Sequence, residues 1–337
     1  LGKTKLIGER YFIYKLLKMS KFFSICQKIF SGIGVLSIAL LLINAVASPV
    51  ESEVPTLSAD DPIMVEAISE RDSLPMYQVR AFDLPKKLDF AGEAVPLHLS
   101  DVRERLDREL LVNVYWQSNG LLLIKRAHKF FPIIEPILHK YDIPNDFKYL
   151  ALIESGLMNV VSPSGAAGFW QFMKNTAKEY DLEMEDTVDE RFHLEKATEA
   201  ACLYLKKAKE EMGSWTLAAA AYNAGKAGIR NQLNKQEVSS YYDLHLNNET
   251  SRYVFRILAV KEIMKNPKKY GFYYKQDQLY NLEPVQYITV DSTINNLASF
   301  AKLYKTNYKT IRLLNPWIRD FSLQNKSGKT YVIKVPK

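Results

Sequence analysis

Phe147-Lys148-Tyr149-Leu150-Ala151-Leu152-Ile153-Glu154-Ser155-Gly156 sets one carboxylate at the end of a short, mostly apolar run. Asp146 can cap a helix there and Gly156 can end it. Glu154 then falls in the last turn, with Leu150 and Ala151 one turn earlier on the same side. An apolar setting and the negative end of the helix dipole both disfavour an ionised carboxylate. A glutamate that keeps its proton near neutral pH is what a general acid needs. Alone, the segment also fits an ordinary exposed acid at a helix end.

Two later stretches add to it. Ser162-Pro163-Ser164-Gly165-Ala166-Ala167-Gly168-Phe169-Trp170-Gln171-Phe172-Met173 is a small-residue turn that feeds an aromatic helix start. Its glycines allow a ligand or a backbone to approach closely. Gln171 offers amide hydrogen bonds, and Phe169 or Trp170 either stacks on a sugar face or enters the core. In Ser214-Trp215-Thr216-Leu217 followed by Ala218 to Ala221 and Tyr222-Asn223-Ala224-Gly225, Ser214 caps an alanine-rich helix that Gly225 ends. The polar pair Tyr222-Asn223 emerges at its C-terminal end.

Outward from these stretches, everything between 97 and 270 reads as α-helix. The first helix starts at Ser100-Asp101 and runs to about Ser118, and a second covers 121–141 with an interruption at Pro132 and Pro136. Helical segments follow at 146–156, 169–180, 195–212, 214–224 and 250–266. After Gly271 the pattern becomes strand 286–290, helices 294–304 and 308–314, and strand 330–335, a small βααβ module within 283–337. The fold class expected is mainly α, a helical domain over 97–270 followed by that module. Residues 48–96 carry Pro49, Pro55, Pro62, Pro75 and Pro85 without sustained periodicity and read as a linker or loose extension.

The chain has 337 residues, a formal net charge of +7 and 47% hydrophobic residues, which excludes disordered and collagen-like classes. Residues 1–47 hold seven basic side chains against the single acid Glu9, leaving 38 basic and 37 acidic residues in 48–337. The charge excess therefore belongs to the N-terminal segment and no nucleic-acid partner is expected. The uncharged run 29–46 and Ala45-Val46-Ala47 give that segment the three parts of a secretory signal, with Met19 as a start of ordinary spacing; an uncleaved membrane anchor is the alternative. Both readings export residues 48–337 to the periplasm or cell envelope. Cys26 precedes the apolar run, so no lipid attachment is expected, and Cys202 in a helical run reads as a packed small hydrophobe. The five histidines are scattered and no paired-Cys or HExxH motif occurs, so neither metal nor cofactor is expected.

Glu154-Ser155, Gly165 to Met173, and Ala221 to Gly225, in this order, resemble the lytic transglycosylase family with the goose-lysozyme-like fold, most of all its membrane-bound D branch. Glu249-Thr250-Ser251-Arg252-Tyr253-Val254 resembles the Glu-Thr-x-x-Tyr-Val segment of that branch. Gly168-Phe169-Trp170-Gln171 stands where the branch has Gly-Leu-Trp-Gln. The resemblance implies a lysozyme-like helical domain that cleaves the β-1,4 bond between N-acetylmuramic acid and N-acetylglucosamine in peptidoglycan glycan strands, acting as a monomer. It also implies Glu154 as the single acid and then base, Ser155 supporting it, Gln171 binding sugar, Tyr222 and Asn223 orienting the muramic acid, and Tyr253 reaching the same cleft. The product would be a 1,6-anhydro ring formed without water. A hydrolase of the same fold and an inactive wall-binding scaffold remain alternatives. Val290 to Ala298, Leu314-Asn315-Pro316 and Gly328 to Pro336 resemble a LysM module, although Asp291-Ser292 replaces the usual Gly-Asp before its first helix.

Overall fold

A computed structural model describes residues 79–326 and 328–337. The apolar run 29–46 and most of the expected linker lie outside the described residues. In chain order the elements are a hairpin of β1 (Asp89–Phe90) and β2 (Glu93–Ala94), then helices α1 (Ser100–Tyr115), α2 (Gln117–Lys140), α3 (Lys148–Ser155) and α4 (Lys174–Glu179). A second hairpin of β3 (Met184–Glu185) and β4 (Val188–Asp189) precedes α5 (Leu194–Met212), α6 (Trp215–Ala224), α7 (Lys226–Gln236) and α8 (Asn248–Lys265). The chain closes with β5 (Val285–Val290), α9 (Leu297–Leu303), α10 (Tyr308–Leu314) and β6 (Tyr331–Pro336).

The helical part is built around α8. Tyr253 to Phe255 and Ile257 to Ile263 are buried, so this helix is covered on nearly all sides, against α1, α3 and α6. Helix α1 contributes a regular stripe of Val102, Leu106, Leu110 and Val114. Ala218 to Ala221 of α6 are all fully buried, and their small side chains let α5, α7 and α8 come close. Cys202 is free and buried, and its burial pushes the thiol up to about 12.

Several expectations are corrected. Residues 79–96 are no loose extension: Phe90 is fully buried, edge-on to Phe147 at 5.1 Å, and Glu93 reaches α6. Ser100 does not cap α1, whose N-cap is Leu99 without a side-chain bond. Asp146 does not cap α3; its Oδ2 accepts from the Ala91 amide at 2.7 Å and from the buried Lys261 at 2.5 Å. Pro132 and Pro136 lie inside a continuous α2. Both are on its exposed face, where the helix hydrogen bonds that proline cannot donate lie toward solvent and not in the core. Residues 169–173 form turns and bridges, so the helix after them starts only at Lys174. Helix α7 carries no periodic signal in the sequence, since Ile229 is its sole buried residue and no apolar stripe marks it.

The C-terminal strands pair antiparallel from Val285↔Pro336 to Val290↔Tyr331, giving the expected βααβ order. Asn315, fully buried after α10, accepts from the Lys334 amide at 2.8 Å and donates to its carbonyl at 2.7 Å, fastening helix to strand. The module's core of Leu297, Ile311, Trp317, Ile318, Ile333 and Val335 is continuous with Ala167, Val188 and Phe192 of the helical part. No helix among the described residues is long and apolar enough to cross a membrane.

Candidate active site

Helix α3 ends at Gly156, whose φ of +61° closes the helix with a bond from its amide to the Leu152 carbonyl at 2.9 Å. This stop leaves Glu154 in the last turn, half-buried against α8. The Tyr253 hydroxyl donates to Glu154 Oε1. Burial raises the carboxyl above its ordinary value of 4.5; the Tyr253 bond and the Arg256 charge oppose that shift, and Glu249 adds to it. Tyr253 is fully buried, and burial with the adjacent Glu154 charge holds its phenol well above 10.0, so it remains a donor.

Ser155 is buried and gives its hydroxyl to the Phe169 carbonyl at 2.8 Å, with a longer approach of 3.3 Å to Ala151. It ties the end of α3 to the next stretch. That stretch, Gly165 to Phe172, is a compact loop closed by bridges Val161↔Ala167 and Ala167↔Phe172. Gly168 has φ +79°, and a Cβ there would stand 1.8 Å from the Arg191 carbonyl oxygen, so only glycine fits. Gln171 has φ +50°, and its Nε2 donates to the Gly168 and Val160 carbonyls at 2.8 and 3.1 Å. Trp170 and Phe169 are in the core, 0% and 4% exposed, so neither offers a face for a sugar. The Trp170 indole instead donates to Thr198 at 2.9 Å.

From α6, the Tyr222 hydroxyl donates to the Trp170 carbonyl at 2.7 Å, its ring edge-on to Phe172 and Tyr204. Burial, then the Glu154 charge, keeps this phenol protonated. Asn223 Oδ1 accepts from the Thr250 hydroxyl at 2.9 Å, which turns Nδ2 away as a donor with no hydrogen bond from it among the described residues. Glu154, Ser155, Gln171, Tyr222, Asn223 and Tyr253 thus stand on α3, the 165–172 loop, α6 and α8, four elements tied together by the Glu154–Tyr253, Ser155–Phe169, Tyr222–Trp170 and Asn223–Thr250 bonds.

Three further residues belong to this constellation. Thr250 lies within the Glu-Thr segment, and nothing in the sequence pairs it with Asn223, 27 residues earlier. Arg256 lies 5.7 Å over the Tyr253 ring and donates to Glu249 at 2.8 Å. Its position three residues after Tyr253 on one helix face was the available signal. Arg191 fastens the 165–172 loop through the Gly165 and Phe172 carbonyls, and no local pattern in the sequence points to it. Among the described residues no cluster of His, Cys, Asp and Glu could hold a metal.

Residues 132–244 match the Transglycosylase SLT domain family, and residues 286–337 match the soluble lytic transglycosylase C-terminal LysM-like domain. Over 191 residues the chain is 29% identical to the membrane-bound lytic murein transglycosylase D of Escherichia coli strain K12, and equally to that of Escherichia coli O6:H1. The matched stretch takes in 54% of this chain and 41% of each relative, so less than half of the relatives' length is spanned. The chain carries an SLT transglycosylase domain, mainly α, and a LysM-like C-terminal domain.

Proposed function

We propose that this SLT-domain chain is a peptidoglycan lytic transglycosylase that cleaves the MurNAc-β-1,4-GlcNAc bond with Glu154 as its single acid and base. The observation that carries the reading is a part-buried glutamate, raised by burial and held by one phenol, with no partner cation hydrogen-bonded to it among the described residues. Protonated Glu154 gives its proton to the leaving glycosidic oxygen as the C1–O4 bond breaks. The resulting carboxylate takes the proton of the muramic acid 6-hydroxyl, whose oxygen bonds to C1. A 1,6-anhydro ring forms and Glu154 is again protonated. Because the attacking hydroxyl belongs to the same sugar, effective molarities of roughly 10⁵–10⁸ M are available and no water-activating base is required.

In this reading Tyr253 orients the Glu154 carboxylate, Asn223 Nδ2 and Gln171 meet the muramic acid, and Ser155 and Tyr222 act through the carbonyls of Phe169 and Trp170. The hydrolytic alternative needs a second carboxylate to activate water. Glu249 is the acid whose charge reaches Glu154, and it is bound to Arg256, which favours the water-free route. The basic, apolar segment 1–47 supports an envelope location, by a cleaved signal or an anchor. Release of soluble fragments from purified sacculi tests the proposal: Glu154→Gln is expected to lose at least about 10³-fold, and Glu249→Gln to stay within about tenfold of wild type. Full activity in Glu154→Gln would overturn it.

A further inference from the structure

We infer that the C-terminal LysM-like module is a positioning element for the 165–172 loop, acting through Asp189 and Arg191, and so contributes to turnover as well as to any wall attachment. The inference rests on the transglycosylase reading of that loop.

The connection is continuous. The segment after α10 meets β4 in an antiparallel bridge: Val188 bridges Ile318, the Asp189 amide donates to the Trp317 carbonyl at 2.8 Å, and the Arg319 amide donates to the Thr187 carbonyl at 2.7 Å. Asp189, held by that backbone bond, takes both Nε and Nη2 of Arg191, at 3.0 and 2.7 Å. Arg191 is 5% exposed and spends its Nη1 on the Gly165 carbonyl at 2.9 Å and the Phe172 carbonyl at 3.2 Å, the two ends of the loop that carries Gln171. The Arg191 carbonyl is also the atom against which Gly168 is packed.

A second contact runs through apolar packing. Ala167, fully buried in the middle of the loop, belongs to the same core cluster as Ile318 and Trp317 of the module. The Arg319 guanidinium covers the Phe192 ring at 3.9 Å, next in sequence to Arg191. A module serving only as a tether has no use for a shared core or for a buried arginine that bonds both Asp189 and the loop backbone. The same loop is also held by the Ser155 and Tyr222 hydroxyls, which donate to its Phe169 and Trp170 carbonyls.

The test uses the full chain with Arg191→Lys, which keeps the charge and loses the fork; Ile318→Ala, which opens the shared core from the module side; and Arg319→Ala, which leaves that core whole. Two quantities are read: amide hydrogen exchange at Ala167, Gly168 and Phe172, and kcat and KM on soluble, peptide-free glycan fragments, which need no wall binding. Exchange at those amides is expected to rise at least about tenfold in Arg191→Lys and Ile318→Ala, to a lesser degree in Arg319→Ala, and kcat to fall about ten- to a hundredfold with KM little changed. Unchanged exchange and unchanged kcat in folded variants, with only sacculus binding lost, would overturn the inference. If wild type cleaves no glycan, the transglycosylase reading fails, while the exchange result still decides the coupling.

Discussion

Glu154 carries two opposed demands: burial keeps its proton on, and the Tyr253 hydroxyl stabilises the carboxylate that forms after transfer. Tyr253→Phe removes only the second. The Glu154 value should then rise further, moving the alkaline limb of kcat/KM to higher pH while kcat falls about tenfold to a hundredfold; a pH-rate profile of the variant checks this. The same shift has a stability consequence. A carboxyl raised above 4.5 on folding binds its proton more tightly in the folded state, so its contribution is fully present below 4.5 and is lost as pH rises through the raised value. Glu154→Gln is free of that loss, and its melting temperature should exceed that of wild type at neutral pH, with the gap closing near pH 4. Glu154, Tyr222 and Asn223 were legible because each sits at a helix end marked by glycine. Arg191 was not, because the loop carbonyls it holds are 19 and 26 residues away.

Helix α6 brings Tyr222 and Asn223 to the site, and its opposite end is fixed by two devices. Ser214 accepts from the Leu217 amide at 3.1 Å, the cap that the sequence announced. Glu93 accepts from the Trp215 and Thr216 amides at 2.6 and 2.8 Å and from the Thr216 hydroxyl at 2.7 Å, and it could not be foreseen because it arrives from a hairpin 122 residues earlier. Burial opposes ionisation of Glu93, but the Thr216 and Trp215 bonds and Lys209 outweigh it and hold the carboxyl below 4.5. Its stabilising effect is present above 4.5 and lost as pH falls through the lowered value. Glu93→Ala should cost about 1–2 kcal/mol at pH 7, discounted for partial exposure, with the difference shrinking in acid, as read by urea titration at the two pH values. Gly168→Ala meets a positive φ and a carbonyl at 1.8 Å together, so it should destabilise by about 3 kcal/mol or more and lower soluble yield. At this scale helices with an apolar stripe or a clear cap were readable, whereas α7 and the β3–β4 hairpin have neither.

For the whole molecule, the order of a helical domain and a βααβ module was readable from the change of period after Gly271. Their fusion was not, since Ala167, Val188 and Phe192 face the module through contacts that no local periodicity encodes. Likewise the prolines that make 48–96 look like a linker gave no sign that Phe90 inserts beside Phe147 or that Lys261 binds Asp89 and Asp146 together. The chemistry proposed for this assembly depends on the attacking group being the sugar's own 6-hydroxyl. Mass spectrometry of the fragments released from sacculi by wild type and by Glu154→Gln distinguishes that group from water. Expected are muramic acid ends one water lighter than hydrolysed ends, formed by wild type and absent with Glu154→Gln; reducing muramic acid ends alone would contradict the mechanism.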